Sequence, residues 1–316
     1  QLQVHLGEIL KDCARYPDGS AFQLKQKLSE QLGVATDRLT VGNGSNDVLE
    51  LLARVFLKPG HNTVVSQHAF VVYGLVTQSL GATLREVPCV DYQQDLDATL
   101  AMIDDQTRIV FIANPNNPTG TWVRRDALER FLKAVPATTL VVLDEAYVEY
   151  VDDPAYPNGL ALLDHYSNLV VTRTFSKAYG LAALRLGYAV SHPDVADLMN
   201  RIRQPFNVNS MALAAGLIAL DDPGHVAQGV AVNRQGLQDL NAGLADLSLA
   251  VIPSVGNFVC FDLGQDALPI YQALLMQGVI VRPVGVYGLP QHLRVSIGTL
   301  EENRIFLEAL GRVLNP

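Results

Sequence analysis

Six stretches rich in aliphatic and β-branched residues recur near 62–66, 83–87, 108–113, 139–144, 168–173 and 185–190, and helical patterns separate them. That alternation constrains the fold more than any other feature of the chain. Parallel neighbours need a long crossover, usually a helix, so strands alternating with helices build a mostly parallel sheet. Leu140-Val-Val-Leu143 sharpens the point, because four consecutive aliphatic residues suit a strand covered on both faces. The expected fold is α/β, with a large domain whose mostly parallel sheet lies between helices. A long helical region then covers 193–246 on apolar spacing. After it come strand-like runs at 257–262, 279–282 and 293–296, a helix near 266–277 and a closing helix from Glu301. This group reads as a smaller α+β domain joined to the start of the chain. The expected division is 17–220 for the large domain, and 1–16 with 221–316 for the small one. With no repeat, low-complexity tract or linker visible, the two parts are expected to pack tightly.

Open α/β sheets bind ligands outside the carboxyl ends of their strands, and polar residues gather there in this chain. The strand-like run Leu169-Val-Val-Thr172 is followed by Thr174, Ser176, Lys177 and Arg185. Two hydroxyls and a guanidinium suit a phosphate, and the amine between them can form an imine with an aldehyde. Pyridoxal phosphate carries both groups. A surface lysine at a strand-to-helix turn is the plainer reading of Lys177 taken alone. Upstream, Leu140-Val-Val-Leu-Asp-Glu-Ala-Tyr147 ends in Asp144, which could hold a protonated pyridine nitrogen, and Tyr147, which could reach the ring's phenolic oxygen. Asn117 follows another buried strand, in Asn114-Pro-Asn-Asn-Pro-Thr-Gly120, and could donate to the same oxygen. Two prolines and Gly120 make that loop rigid. Finally, Leu39-Thr-Val-Gly-Asn-Gly-Ser45 runs through Gly42 and Gly44 into a helix whose first turn holds Ser45, Asn46 and Asp47. Unpaired amides at a helix start form an anion site. A capped helix without a ligand would read the same way. Asp47 stands where a dinucleotide fingerprint needs its third glycine, and no Gly-Lys-Ser/Thr follows, so one phosphate fits better than a nucleotide.

The order Gly-Asn-Gly-Ser, Asn-Pro-Asn-Asn-Pro-Thr-Gly, Asp-Glu-Ala-Tyr, Ser-Lys and Leu-Arg resembles that of fold-type-I pyridoxal-phosphate aminotransferases. More narrowly, the chain resembles the histidinol-phosphate aminotransferase family, from Arg15-Tyr-Pro17 to Leu293-Arg-Val-Ser-Ile-Gly-Thr299. The resemblance implies transfer of an amino group from L-histidinol phosphate to 2-oxoglutarate, giving imidazole acetol phosphate and glutamate, a step of histidine biosynthesis. It implies that Lys177 bonds the cofactor aldehyde and moves the α-carbon proton, that Asp144 pairs with the ring nitrogen, and that Asn117 and Tyr147 hold the ring oxygen. Gly44, Ser45, Asn46, Thr174, Ser176 and Arg185 would surround the phosphate, and Phe70 would stack on the ring. Tyr16 would reach the phosphate in the partner subunit of a homodimer with shared sites. Arg294, with Arg282 as a second candidate, would grip the acidic end of the substrate. Without the resemblance, Phe70 and Tyr73 read as core residues on a helical face, and Arg282 as an exposed charge at a strand end.

Two departures stand out. Ala183 occupies a position where many relatives have glycine, and residues 1–10 already lie inside the expected opening helix, so that the Asn-Glu-Asn-Pro-Tyr-Gly-like lid that relatives carry ahead of it lies outside this sequence or is absent. Such a lid serves closure over substrate. Aromatic amino-acid aminotransferases and threonine-phosphate decarboxylases share this cofactor site and are the alternatives; a non-catalytic pyridoxal-phosphate-binding module is an alternative of another class. Asp47 argues against a nicotinamide oxidoreductase, in which Lys177 would also be redundant.

Composition agrees with an enzyme of small molecules. Charged residues make up 17% and hydrophobic residues 49% of 316, a globular balance. Net charge −9 without a basic block argues against nucleic acid, and no apolar run approaches a membrane span. Three scattered cysteines, Cys13, Cys89 and Cys260, fit a reducing cytoplasm rather than a disulfide framework. No histidine pair has metal-ligand spacing, so no metal is expected.

Overall fold

The structure is a computed structural model that describes residues 7, 9–11 and 14–315. Cys13 and most of the expected opening helix lie outside the described residues. The strands in chain order are β1 (Leu39–Asn43), β2 (Asn62–Ser66), β3 (Thr83–Val87), β4 (Cys89–Val90), β5 (Gln93–Gln94), β6 (Thr107–Ala113) and β7 (Leu140–Asp144). They continue with β8 (Leu169–Thr174), β9 (Leu186–Val190), β10 (Ala250–Ile252), β11 (Phe258–Asp262), β12 (Arg282–Val284) and β13 (Leu289–Ser296). Seven of them form one sheet in the order β1-β9-β8-β7-β6-β2-β3. From β3 across to β8 the pairings are parallel; only β9 runs against its neighbours β8 and β1.

Period-two alternation divides the core of this sheet. Val110, Ile112, Val141 and Leu143 face one layer, built by the helices Phe22–Leu32, Arg125–Ala134 and Ser210–Leu220. Ile109, Phe111, Leu140 and Val142 face the other, built by Ser45–Phe56, Val71–Ser79 and Pro193–Ile202. Successive side chains of a strand point to opposite faces, so a continuous aliphatic run is what a doubly covered sheet requires. A second, four-stranded sheet, β10-β11-β13-β12, is antiparallel throughout. Its core is closed by the helices Pro223–Asp246, Ala267–Met276 and Leu300–Leu314. The architecture is thus α/β with an α+β companion.

Local chemistry accounts for the differences from expectation. The helical region 193–246 is three helices, because two N-caps restart the chain: Asn209 accepts from Ala212 N at 2.8 Å, and Asp222 accepts from His225 N at 3.1 Å ahead of Pro223. The strand expected at 279–282 begins only at Arg282. The preceding residues are taken up by the end of helix Ala267–Met276, where Gly278 has φ 79° and Val279 N donates back to Leu274 O. β10 and the β4–β5 ladder are too short to show a period. No described helix is long and apolar enough to cross a membrane.

Candidate active site

Because β2, β6, β7 and β8 run parallel, their carboxyl ends meet at one edge of the large sheet, and a cavity of about 210 Å³ opens there. Ser45, Asn46, Phe70, Asn117, Asp144, Tyr147, Thr174, Ser176, Lys177 and Arg185 line it. Ten residues singled out from five separate stretches of sequence therefore converge.

Asp144 ends β7 on the face of Leu140 and Val142, which turns it toward the helix Val71–Ser79. It is buried, and its partners are neutral hydroxyls: Tyr73 Oη donates to Oδ2 at 2.8 Å and Thr172 Oγ1 to Oδ1 at 3.0 Å. Burial pushes its carboxyl pKa up, and these donors work against that rise. Sequence reasoning missed both partners. The available signal was a tyrosine on an otherwise apolar helical face, since a buried phenol needs somewhere to point. Lys177 sits half-buried with Nζ 5.3 Å from the centre of the Tyr147 ring. Its pKa is lowered, first by burial and then by Arg294, with Arg185 adding to them and Asp144 opposing. Tyr147 is itself buried, edge-on to Phe258 at 5.2 Å, and burial raises its pKa.

Asn117 is carried by a loop tied down on every side. Asn116 Nδ2 donates to His68 O and Thr119 Oγ1, and Val123 N donates to Asn114 Oδ1. Gly120 takes φ 78°, and a Cβ there would run into Ser254. The Asn114–Pro115 and Asn117–Pro118 peptide bonds are cis. Arg294 Nη1 donates to Asn117 Oδ1, and its guanidinium lies 5.1 Å from the Phe258 ring centre. Arg282 is exposed and is the cross-strand partner of Arg294, so both stand on one face of the small sheet.

The other end of the cavity is built for an anion. The helix Ser45–Phe56 starts there behind Gly44, at φ 81°, where a Cβ would collide with the Arg185 guanidinium. At Gly187 a Cβ would collide with the Ser45 backbone, so β9 can lie directly against the start of this helix. Arg185 Nη1 donates to Ser176 Oγ at 3.4 Å and to Ala182 O at 3.0 Å, and Ser176 N donates to Thr174 Oγ1 at 3.1 Å. Asp47 turns away from the cavity to accept from Asn43 N and Asn207 Nδ2. Phe70 precedes the helix Val71–Ser79 and lines the wall. Tyr16 does not reach the cavity of its own chain; it is 83% exposed and stacks on Phe206 at 4.8 Å.

A family model described as aminotransferase class I and II matches residues 8–310. A relative named histidinol-phosphate aminotransferase 2, from Pseudomonas fluorescens, is 58% identical over 96% of this chain and 82% of its own length. Histidinol-phosphate aminotransferase 1 of Nitrosococcus oceani is 52% identical over 97% of this chain and 83% of its own. The chain belongs to the class I and II aminotransferases. Among solved structures, the histidinol-phosphate aminotransferase of Sinorhizobium meliloti, in complex with pyridoxal-5'-phosphate, superposes with a TM-score of 0.94. It is 32% identical and covers 99% of this chain and 86% of its own. The cavity of this aminotransferase is lined by Lys177, Arg185 and a single carboxylate, Asp144. Arg294 is not a lining residue but bonds the lining Asn117, and neither arginine pairs with a carboxylate among the described residues. Such a site is prepared for ligands with more than one negative group.

Proposed function

We propose that this chain is a pyridoxal-phosphate-dependent aminotransferase that passes the amino group of L-histidinol phosphate to 2-oxoglutarate. The observation that carries the reading is one cavity holding Lys177, an amine whose pKa is lowered by burial and neighbouring cations, and Asp144, a buried carboxylate hydrogen-bonded by neutral donors. The 58% identity to a histidinol-phosphate aminotransferase supports the substrate.

The residues fit the cofactor. Among the described residues no cation is hydrogen-bonded to Asp144, though Lys177 acts on it from a distance, and a protonated ring nitrogen would supply one. Gly44, Ser45, Asn46, Thr174, Ser176 and Arg185 would hold the phosphate, Phe70 would cover the ring, and Asn117 and Tyr147 would hold its phenolic oxygen. Tyr16 of a second copy would complete the phosphate end in a homodimer with shared sites, a reading supported by the exposure of Tyr16 and of Phe22. Pyridoxal phosphate, when bound, supplies an aldehyde for the substrate amine and a ring that accepts the electron pair left at the α-carbon. Lys177 Nζ, whose pKa is lowered by burial and then by Arg294 and Arg185, would take the proton from the substrate α-carbon and return it to the carbon that carried the cofactor's aldehyde. Asp144 would face the ring nitrogen, whose positive charge would favour the ionised carboxylate against the effect of burial. Arg294 and Arg282, like charges side by side, oppose each other until an anion lies between them. A phosphate and a carboxylate both satisfy that need, so the same pair would serve amino donor and acceptor. We extend the proposal to domains divided at 220/221 and to a reducing cytoplasm, in keeping with free Cys89 and Cys260.

The test is the visible absorption of protein mixed with pyridoxal phosphate. A band that shifts on adding histidinol phosphate and returns with 2-oxoglutarate is expected, and Lys177→Ala abolishes the turnover. A band that answers only to phenylalanine or threonine phosphate would replace the substrate. No band at all would remove the cofactor.

A further inference from the structure

Tyr73 is one of the largest fully buried side chains among the described residues, yet it is one of the residues that line the cavity. Its ring lies flat on Phe111, with centroids 4.6 Å apart and planes 3° from parallel, and meets Phe70 edge-on at 5.7 Å. That packing fixes the phenol where Oη donates to Asp144 Oδ2 at 2.8 Å. Thr172 Oγ1 occupies Oδ1. The Ala146 backbone N–H is a third donor. A carboxylate offers about four lone-pair sites, so these three donors leave room for one more, and they limit the direction from which it can come.

We propose that Tyr73 is a positioning residue for the cofactor's ring nitrogen: it orients the buried Asp144 carboxylate and favours its ionised form. The inference rests on the cofactor reading above. An isolated buried carboxylate takes up a proton, and a neutral carboxyl cannot hold a pyridinium. A donor aimed at the ionised form opposes that uptake. Tyr73 stays a donor, because burial and then the Asp144 charge hold its own pKa well above the ordinary phenol value. The titratable groups facing this pair are Lys177, Tyr147, Tyr287 and Glu145.

Tyr73→Phe removes one oxygen and leaves the stack on Phe111 in place. The readout is the dissociation constant of cofactor-free protein for pyridoxal phosphate, compared with an analogue carrying C–H in place of the ring nitrogen. Tyr73→Phe weakens pyridoxal phosphate about ten- to hundred-fold, the worth of one hydrogen bond to an ion, and leaves the analogue unchanged. Phe111→Leu is the packing control; it lowers the melting temperature and keeps the preference for the nitrogen-bearing ring. The carboxyl carbon resonance of Asp144 in cofactor-free protein titrates at higher pH in Tyr73→Phe than in the native chain. Equal losses for both ligands, or no loss, would overturn the role of Tyr73. A native chain that binds neither ligand would overturn the cofactor reading instead.

Discussion

Asp144 and Glu145 are neighbours in sequence and both buried, yet the structure treats them in opposite ways. Asp144 follows Leu140 and Val142 to one face of the sheet, where its hydrogen-bond donors are two hydroxyls and the Ala146 backbone N–H. Glu145 turns to the side of Leu143, where Arg173 Nε and Nη2 both donate to its Oε2, at 2.9 and 2.7 Å, and Gly159 N donates to Oε1. The second carboxylate is already compensated and ties the ends of β7 and β8 together. The first has no cation hydrogen-bonded to it among the described residues. What separates a structural acid from a binding acid here is the charge of its partner, not its burial. A third acid, Glu149, stands beside the compensated pair. Its Oε2 is buried without a partner among the described residues, and burial pushes its pKa up to about 7.

Three substitutions test this contrast. The largest effect is expected on the structural side. Glu145→Gln strands the Arg173 guanidinium and lowers stability by about 3–5 kcal/mol in chemical denaturation, the usual cost of breaking a buried pair. A loss below about 1 kcal/mol would mean that Arg173 finds another partner. On the binding side, Asp144→Asn lowers kcat/KM about 10²- to 10³-fold, as when one electrostatic contact to the reacting group is removed. Cofactor-free Asp144→Asn protein melts no lower than the native chain, since no ion pair is broken; a clear drop in melting temperature would erase the distinction between the two acids. The smallest effect belongs to Glu149. Its folded pKa lies above the unfolded value of 4.5, so the folded state keeps a proton that the unfolded chain releases. Stability therefore falls as pH rises from about 4.5 to about 7, by roughly 3 kcal/mol at most. Glu149→Gln removes that slope: it raises the melting temperature at pH 8 and leaves it unchanged at pH 4. A gain of equal size at both values would assign the effect to packing.

The outline of the site was legible because its residues sit at strand ends. Lys177, Asp144, Asn117 and Ser45 each follow a recognisable strand, and parallel strands bring their ends together by topology alone. Tyr73 was legible only as a core residue, because nothing local says which acid a buried phenol will find 71 residues away. The pairing of Glu145 with Arg173 was hidden for the same reason. Tyr16 could be named only through the resemblance, since its own chain leaves it at the surface.

The sequence by itself determined the α/β layering, because a strand of consecutive aliphatic residues has no stable place except between two helical layers. It also determined which residue types gather at the carboxyl edge. Tertiary structure decided what those residues do to one another: that Asp144 meets hydroxyls while Glu145 meets a guanidinium, and that Lys177 lies between cations. Those outcomes depend on which helices cover which face. Charge and burial act through space over a few ångströms, and the partners involved are separated by tens to hundreds of residues along the chain.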